Sequence, residues 1–100
     1  MTDKNEVITI PDKGLEEAIK YELNLNPNYE ITKDNIKSLR WLDASNKGIL
    51  DLAGLDNAIN LEELYLGYNQ IEDISTLSEL TNLKILNLSN NQIQDIKVLS

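Results

Sequence analysis

Between Leu61 and Ser100 the chain repeats itself every 22 residues, and that period leaves few folds open. The stretch LEELYLGYNQIEDISTLSELTN is followed by LKILNLSNNQIQDIKVLS. Slid onto each other, they match Leu61 with Leu83, Leu64 with Leu86, Leu66 with Leu88, Asn69 with Asn91, Ile71 with Ile93, Ile74 with Ile96 and Leu77 with Leu99. A weaker copy, LRWLDASNKGILDLAGLDNAIN, starts at Leu39. A unit of this length cannot bury its apolar face alone, so such units stack and share a core. The expected organisation is an N-terminal segment over residues 1–38, repeats over 39–60 and 61–82, and a truncated repeat over 83–100. All of it should behave as one cooperative domain, since 100 residues is one domain at most.

Each repeat position has a physical reading. Leu64 and Leu66 lie two apart, as do Leu86 and Leu88, so each pair shares the inward face of a short strand. Asn69 and Asn91 follow at a bend, where an inward amide can bond backbone groups that no strand partner reaches. The first copy carries Lys47 there, so the Asn ladder should fail beside the N-terminal segment. Ile71, Ile74 and Leu77, closed by Leu80, are spaced for short 3₁₀ or irregular turns on the return side. Asp51, Asp73 and Asp95 form a column of one carboxylate per repeat. They read as caps that accept backbone N–H groups; one carboxylate per repeat is a poor ligand count for a hard cation. No metal or other cofactor is expected.

The segment before the repeats reads as a cover. Met1 to Glu6 is polar and is expected to fray. Val7 to Ile10 alternates like a short strand and stops at Pro11. Asp12 can cap a helix in which Leu15, Ala18, Ile19 and Leu23 share one face. The helix should end near Asn24, ahead of the turn chemistry of Asn26-Pro27-Asn28. Thr32 reads as a second cap, with Asp34 in the first turn and Ile36 and Leu39 facing inward. A solenoid exposes an apolar cross-section at each end, and a small helical unit here covers the first one.

The sequences IPDKGLEEAIKYEL and ITKDNIKSLRWLDASNKGILDLAGL, followed by two NQI-x-DI repeats, resemble the N-terminal cap and first repeats of internalin-like bacterial leucine-rich-repeat proteins. The likeness covers roughly residues 8 to 100. It implies an α/β leucine-rich-repeat solenoid, a horseshoe fragment with a parallel concave β-sheet, a short 3₁₀ or irregular convex side and an N-terminal α-helical cap. It also implies a cell-surface or secreted protein-binding module. The chain carries no recognisable signal peptide or wall anchor, which leaves a cytoplasmic location open.

Composition narrows the chemistry. The net charge of −8 disfavours nucleic acid and anionic membranes, which select basic surfaces. No stretch approaches the roughly 20 apolar residues of a membrane helix. With no His, no Cys and no Gly-rich phosphate loop, the common general bases, thiolates and phosphate cradles are missing, and no catalytic residue is assigned. Adjacent carboxylates such as Glu62/Glu63 point to opposite faces of a strand and do not converge. What remains is a surface. The residues between the inward leucines form columns on the concave side: Trp41, Glu63 and Ile85; Asp43, Tyr65 and Asn87; Ser45, Gly67 and Ser89; Asn46, Tyr68 and Asn90. Trp41, Asp43, Glu63, Tyr65, Tyr68, Ile85 and Asn87 are the candidate contacts for a protein partner, since exposed aromatics concentrate at interface hot spots. Trp41 can instead pack under the cap, and both readings stay open. A second functional reading is a structural fragment, natural or engineered, that caps and solubilises a longer array. The last repeat stops at its eighteenth position, so self-association is expected through an end formed by Leu86, Leu88, Ile93, Ile96 and Leu99. Asn46, read as a plain surface residue, should tolerate replacement by Ala within about 0.5 kcal/mol.

Overall fold

The computed structural model describes residues 6–93. Met1 to Asn5, and Asp95, Ile96, Lys97 and Leu99 of the last repeat, lie outside the described residues. The end expected to self-associate, formed by Leu86, Leu88, Ile93, Ile96 and Leu99, lies partly outside the described residues.

Helix α1 spans Lys13–Glu22. It starts where it does because the Asp12 carboxylate accepts the N–H of Leu15 at 3.1 Å, holding an amide the helix itself cannot pair. Leu15, Ala18 and Ile19 face the core. The chain leaves the helix through Asn24 at φ 59°, a left-handed conformation that Asn tolerates better than most residues. The short helix α2, Lys33–Ile36, carries a capping box between Thr32 and Asn35. Val7–Ile10 is less than a strand. It forms one antiparallel bridge, Val7 to Thr32, although its alternation holds, with Ile8 and Ile10 buried and Val7 exposed. Pro11, which has no N–H to offer, ends any pairing there.

The repeats then build one parallel sheet from β1 (Trp41–Asp43), β2 (Glu63–Tyr65) and β3 (Ile85–Asn87), in that order. The register runs Trp41–Glu63–Ile85, Leu42–Leu64–Leu86 and Asp43–Tyr65–Asn87, so residues 22 apart stand side by side. The ladder continues beyond the named strands, with Asn46 N–H bonding the Gly67 carbonyl at 2.9 Å and Tyr68 N–H the Ser89 carbonyl at 2.9 Å. On the return side, Leu55–Asn57 and Ser75–Glu79 are 3₁₀ helices. Ile71, Ile74, Leu77 and Leu80 are all buried along it.

A single apolar core joins the two parts of the molecule. Leu15, Ile19 and Ile36 of the N-terminal segment belong to the same buried cluster as Leu42, Ile49, Leu52, Leu55, Leu64 and Leu66. Toward β3 the burial weakens, and Leu83, Leu86 and Leu88 are only partly covered.

Contact between α1 and the first repeat is close enough to dictate a residue. A Cβ placed on Gly14 would collide with the carbonyl oxygen of Lys47 and press on Ile49. In an exposed helix, Gly→Ala stabilises by about 1 kcal/mol. Here the sign should reverse: Gly14→Ala should lose about 1–3 kcal/mol in urea or thermal unfolding, because backbone must move to admit the methyl group. A stabilised variant would show that α1 does not sit against Lys47.

Candidate functional site

The concave sheet is held from beneath by amides. Among the described residues, Asn69 is the one polar side chain in the buried set. Its Oδ1 accepts the N–H groups of Lys47 and Ile49, both at 3.0 Å. Its Nδ2 donates to the carbonyls of Ala44 at 3.0 Å and Leu66 at 2.9 Å. One side chain thus closes the bend of its own repeat and ties down the repeat before it. Asn91 repeats the pattern, accepting from Ile71 N–H at 3.1 Å and donating to Leu66 at 2.8 Å and Leu88 at 3.0 Å. Lys47 occupies the equivalent place in the first repeat. There Asp12 takes over the outermost backbone groups, its Oδ2 accepting from Leu50 at 2.8 Å and Asp51 at 3.1 Å. The place of Asp12 ahead of Leu15 and Ala18 reveals it as a helix cap; its reach across 38 residues is a property of the fold.

Of the Asp column, Asp51 and Asp73 act as turn-forming carboxylates; Asp95 lies outside the described residues. Asp51 accepts from Ala53 N–H at 2.9 Å, and Asp73 from Ser75 N–H at 2.9 Å. These bonds, with the Ser75 backbone N–H foremost, hold the Asp73 carboxyl below its ordinary range. Among the described residues, no three Asp or Glu side chains gather into a metal-binding group.

Above this frame lies the outward grid. Trp41 is 42% exposed, and its inner edge borders Glu22 and Leu23 at the end of α1. Its ring meets that of Tyr65 at 6.0 Å between centroids, tilted by 53°. The Tyr65 hydroxyl donates to Glu63 Oε1 at 2.8 Å. That bond, followed by burial and the charges of Glu63 and Asp43, pushes the phenol above its ordinary range. Asp43 accepts the Ser45 N–H at 3.0 Å, and its carboxyl lies below the ordinary range chiefly through bonds from Ser45. Asn87 is bound in the same way by the N–H and hydroxyl of Ser89, at 2.9 and 2.7 Å. Ile85 is 46% exposed at the far side of β2. The structure therefore brings Trp41, Asp43, Glu63 and Tyr65 together, with Ile85 and Asn87 beside them on β3.

Tyr68 stands at the rim, 64% exposed. Its backbone is left-handed, φ 58°, as are those of Asn46 at 56° and Asn90 at 58° in the same column. This corrects the reading of Asn46 as a plain surface residue. It is exposed, yet an Ala in that conformation loses the local preference that Asn supplies, so the cost rises to about 1 kcal/mol.

Two features escape sequence reading. Asn60 and Asn82 form a second amide ladder, donating to the Lys37 carbonyl at 2.9 Å and the Ile59 carbonyl at 2.9 Å. Arg40, Glu62 and Lys84, again 22 apart, form a chain of charge with Arg40–Glu62 at 3.1 Å and Lys84–Glu62 at 3.4 Å. Lys84 first, then Arg40, holds the Glu62 carboxyl below its ordinary range. Both signals were present as 22-residue coincidences of polar residues, which apolar periodicity does not weigh.

The comparisons agree with this architecture. The family description "Leucine Rich repeats (2 copies)" matches residues 37–79 and again 59–100. The structure is similar to that of internalin C2 from Listeria monocytogenes, with a TM-score of 0.87 and 27% identity over 98% of this chain and 46% of that one. It is also similar to a structure of CBM51-2 and INT domains from Clostridium perfringens ZmpB, solved in complex with GlcNAc, with a TM-score of 0.79 and 44% identity over 86% of this chain and 18% of that one. A Listeria internalin, internalin F, gives a TM-score of 0.65 and 28% identity over 90% of this chain and 33% of that one. No curated protein matches. The chain spans less than half the length of each of these solved structures. Period, sheet and amide ladder together define a leucine-rich-repeat solenoid. The chain belongs to the leucine-rich-repeat family, and within it the cap and repeats are internalin-like.

Asn69→Ala should lose about 3 kcal/mol in equilibrium unfolding, since it strands the N–H groups of Lys47 and Ile49 inside the bend. Asn46→Ala should lose about a third of that. Equal losses would show that Asn69 carries no more of the fold than a turn residue does.

Proposed function

We propose that this chain is a non-enzymatic protein-interaction module, part of a longer bacterial surface or secreted protein, and that its concave sheet holds the partner. The observation that carries the proposal is Tyr68. A bulky residue in the left-handed region is disfavoured, and the neighbouring repeats place Asn there. Tyr68 gains little burial in return, being 64% exposed. Backbone strain retained without a packing reason points to a use outside the fold. Trp41 and Tyr65, with Ile85, extend the same surface, and aromatics of this kind anchor protein interfaces. Likeness to the Listeria internalins supports the surface or secreted location. Among the described residues, no helix is long and apolar enough to cross a membrane.

The second reading, a capping and scaffold fragment, is favoured by one observation: the N-terminal segment shares its core with the repeats. The two readings differ in what Tyr68 is for. Tyr68→Asn should raise stability by about 1 kcal/mol, because Asn suits the backbone better. The same variant should lose a protein partner that the native chain retains in a pull-down. Stability and capture moving in opposite directions would be inexplicable for a residue serving only the scaffold. A destabilised variant, or undiminished capture, would remove Tyr68 from the interface.

A further inference from the structure

Trp41, Asp43, Glu63 and Tyr65 occupy the corners of one rectangle on the concave face. Trp41 pairs across the strands with Glu63, and Asp43 with Tyr65. Neighbouring corners are about 4.8 Å apart across the strands and about 6.6 Å along them. The two aromatic rings therefore share one diagonal and the two carboxylates the other. The rings touch at 6.0 Å with a 53° tilt, so they lean together without covering each other's faces. Glu63 is oriented by the Tyr65 hydroxyl at Oε1, and its second oxygen has no hydrogen-bond donor among the described residues. Asp43 is oriented by Ser45 of its own turn. Among the described residues, no Lys or Arg forms an ion pair with either carboxylate; Arg40 and Lys84 are both engaged by Glu62, and Lys47 exerts only a minor pull on Asp43.

We infer that this rectangle is a socket for an arginine side chain presented by the partner protein. The inference rests on the concave sheet being the interface proposed above. Electron-rich ring faces attract a cation, and a planar guanidinium stacks on them better than an ammonium does. Its five donors also point outward in its plane, where carboxylates on opposite corners can accept them. An ammonium has three donors around a point charge and cannot lie flat on a ring while reaching both corners. Complementarity at longer range acts in the same direction, because the chain carries a net charge of −8. Held below the ordinary carboxylate range by Ser45, Asp43 is ionised at any physiological pH.

Trp41 is the only tryptophan, so its fluorescence reports on the socket directly. The probe is the blocked tripeptide acetyl-Gly-Arg-Gly-amide, titrated against the whole chain, with the Lys and citrulline tripeptides alongside. The expected result is a saturable change with the Arg peptide, weaker binding of the Lys peptide, and binding at least roughly tenfold weaker for citrulline, which keeps the shape and loses the charge. The double variant Asp43→Asn/Glu63→Gln should weaken the Arg peptide roughly tenfold at an unchanged melting temperature. Amide chemical shifts should move at β1 and β2. Equal binding of citrulline, undiminished binding by the double variant, or shifts confined to the acidic residues of α1 would overturn the socket. A double variant that still captures the partner, while Tyr68→Asn does not, would discard the arginine and keep the concave interface.

Discussion

Where the sheet ends, the chain must bend inside an apolar core, and its backbone amides still need partners. The rest of the structure depends on how that constraint is met. Between the end of the strand ladder, at the N–H groups of Asn46 and Tyr68, and the next bonds between repeats, from Gln70 N–H to the Ile49 carbonyl and Gln92 N–H to the Ile71 carbonyl, the N–H of Ile49 stays buried beneath the bend. A carboxamide suits the place because it carries an acceptor and two donors on one short arm. Asn69 uses both, binding N–H groups of the preceding repeat and carbonyls of two repeats. An Asp would offer no donors and would bury a charge; a Ser would not reach. Because each amide spans two repeats, it fixes their separation, and with it the spacing of every outward column on the concave face.

The N-terminal cap solves the same problem with different chemistry. Beside the first repeat there is no earlier bend for an amide to span, and Asp12 stands at the start of α1 instead. One oxygen accepts from Leu15 and the other from Leu50 and Asp51, so the helix start and the first return turn share one carboxylate. The arrangement needs α1 to lie almost on the backbone of Lys47, which leaves no room for a side chain at Gly14. Apolar burial then seals the join through Leu15, Ile19 and Ile36. A carboxylate at the exposed edge of the array, where water reaches it, costs less than one in the interior, which is why the interior positions are Asn.

How much of this was legible beforehand differs by residue. The 22-residue period predicts three aligned strands and the inward leucines, because burial repeats with the backbone. The spacing of Ile71, Ile74 and Leu77 predicts 3₁₀ turns, and the amide role of Asn69 follows from its place at a bend. The second amide ladder, Asn60 and Asn82, did not stand out, since polar residues near a turn have many possible roles and only the fold shows which carbonyl lies in reach. Val7–Ile10 reads as a strand by alternation, but alternation reports burial of one face and says nothing of a partner long enough to pair with. The left-handed column of Asn46, Tyr68 and Asn90 was readable in two of its three members; Tyr68 hid it, because Tyr is an unusual residue for that conformation. On the concave face, sequence register brings Trp41, Asp43, Glu63 and Tyr65 together. Their diagonal pairing and the tilt of the rings come only with coordinates.

The frame and the face are separable, and that separation is what suits such a chain to recognition. Inward leucines, amides and Asp turns hold most of the backbone, so the outward residues carry little of the core, although Asn46, Asp43 and Asn87 still shape their own turns. A side chain on this sheet is also already placed: Tyr65 is bonded to Glu63, Asp43 to its own turn, and Asn87 to Ser89. Groups fixed before binding lose little rotamer freedom on contact, and that saving goes directly into affinity. Tyr68 shows the limit of that separation. It departs from the Asn that its backbone favours, in the one repeat that also carries Tyr65 and, at Gly67, no side chain between them. Both tyrosines therefore belong to the central repeat of the described sheet, flanked by β1 and β3, where a partner spanning the strands would be most fully desolvated.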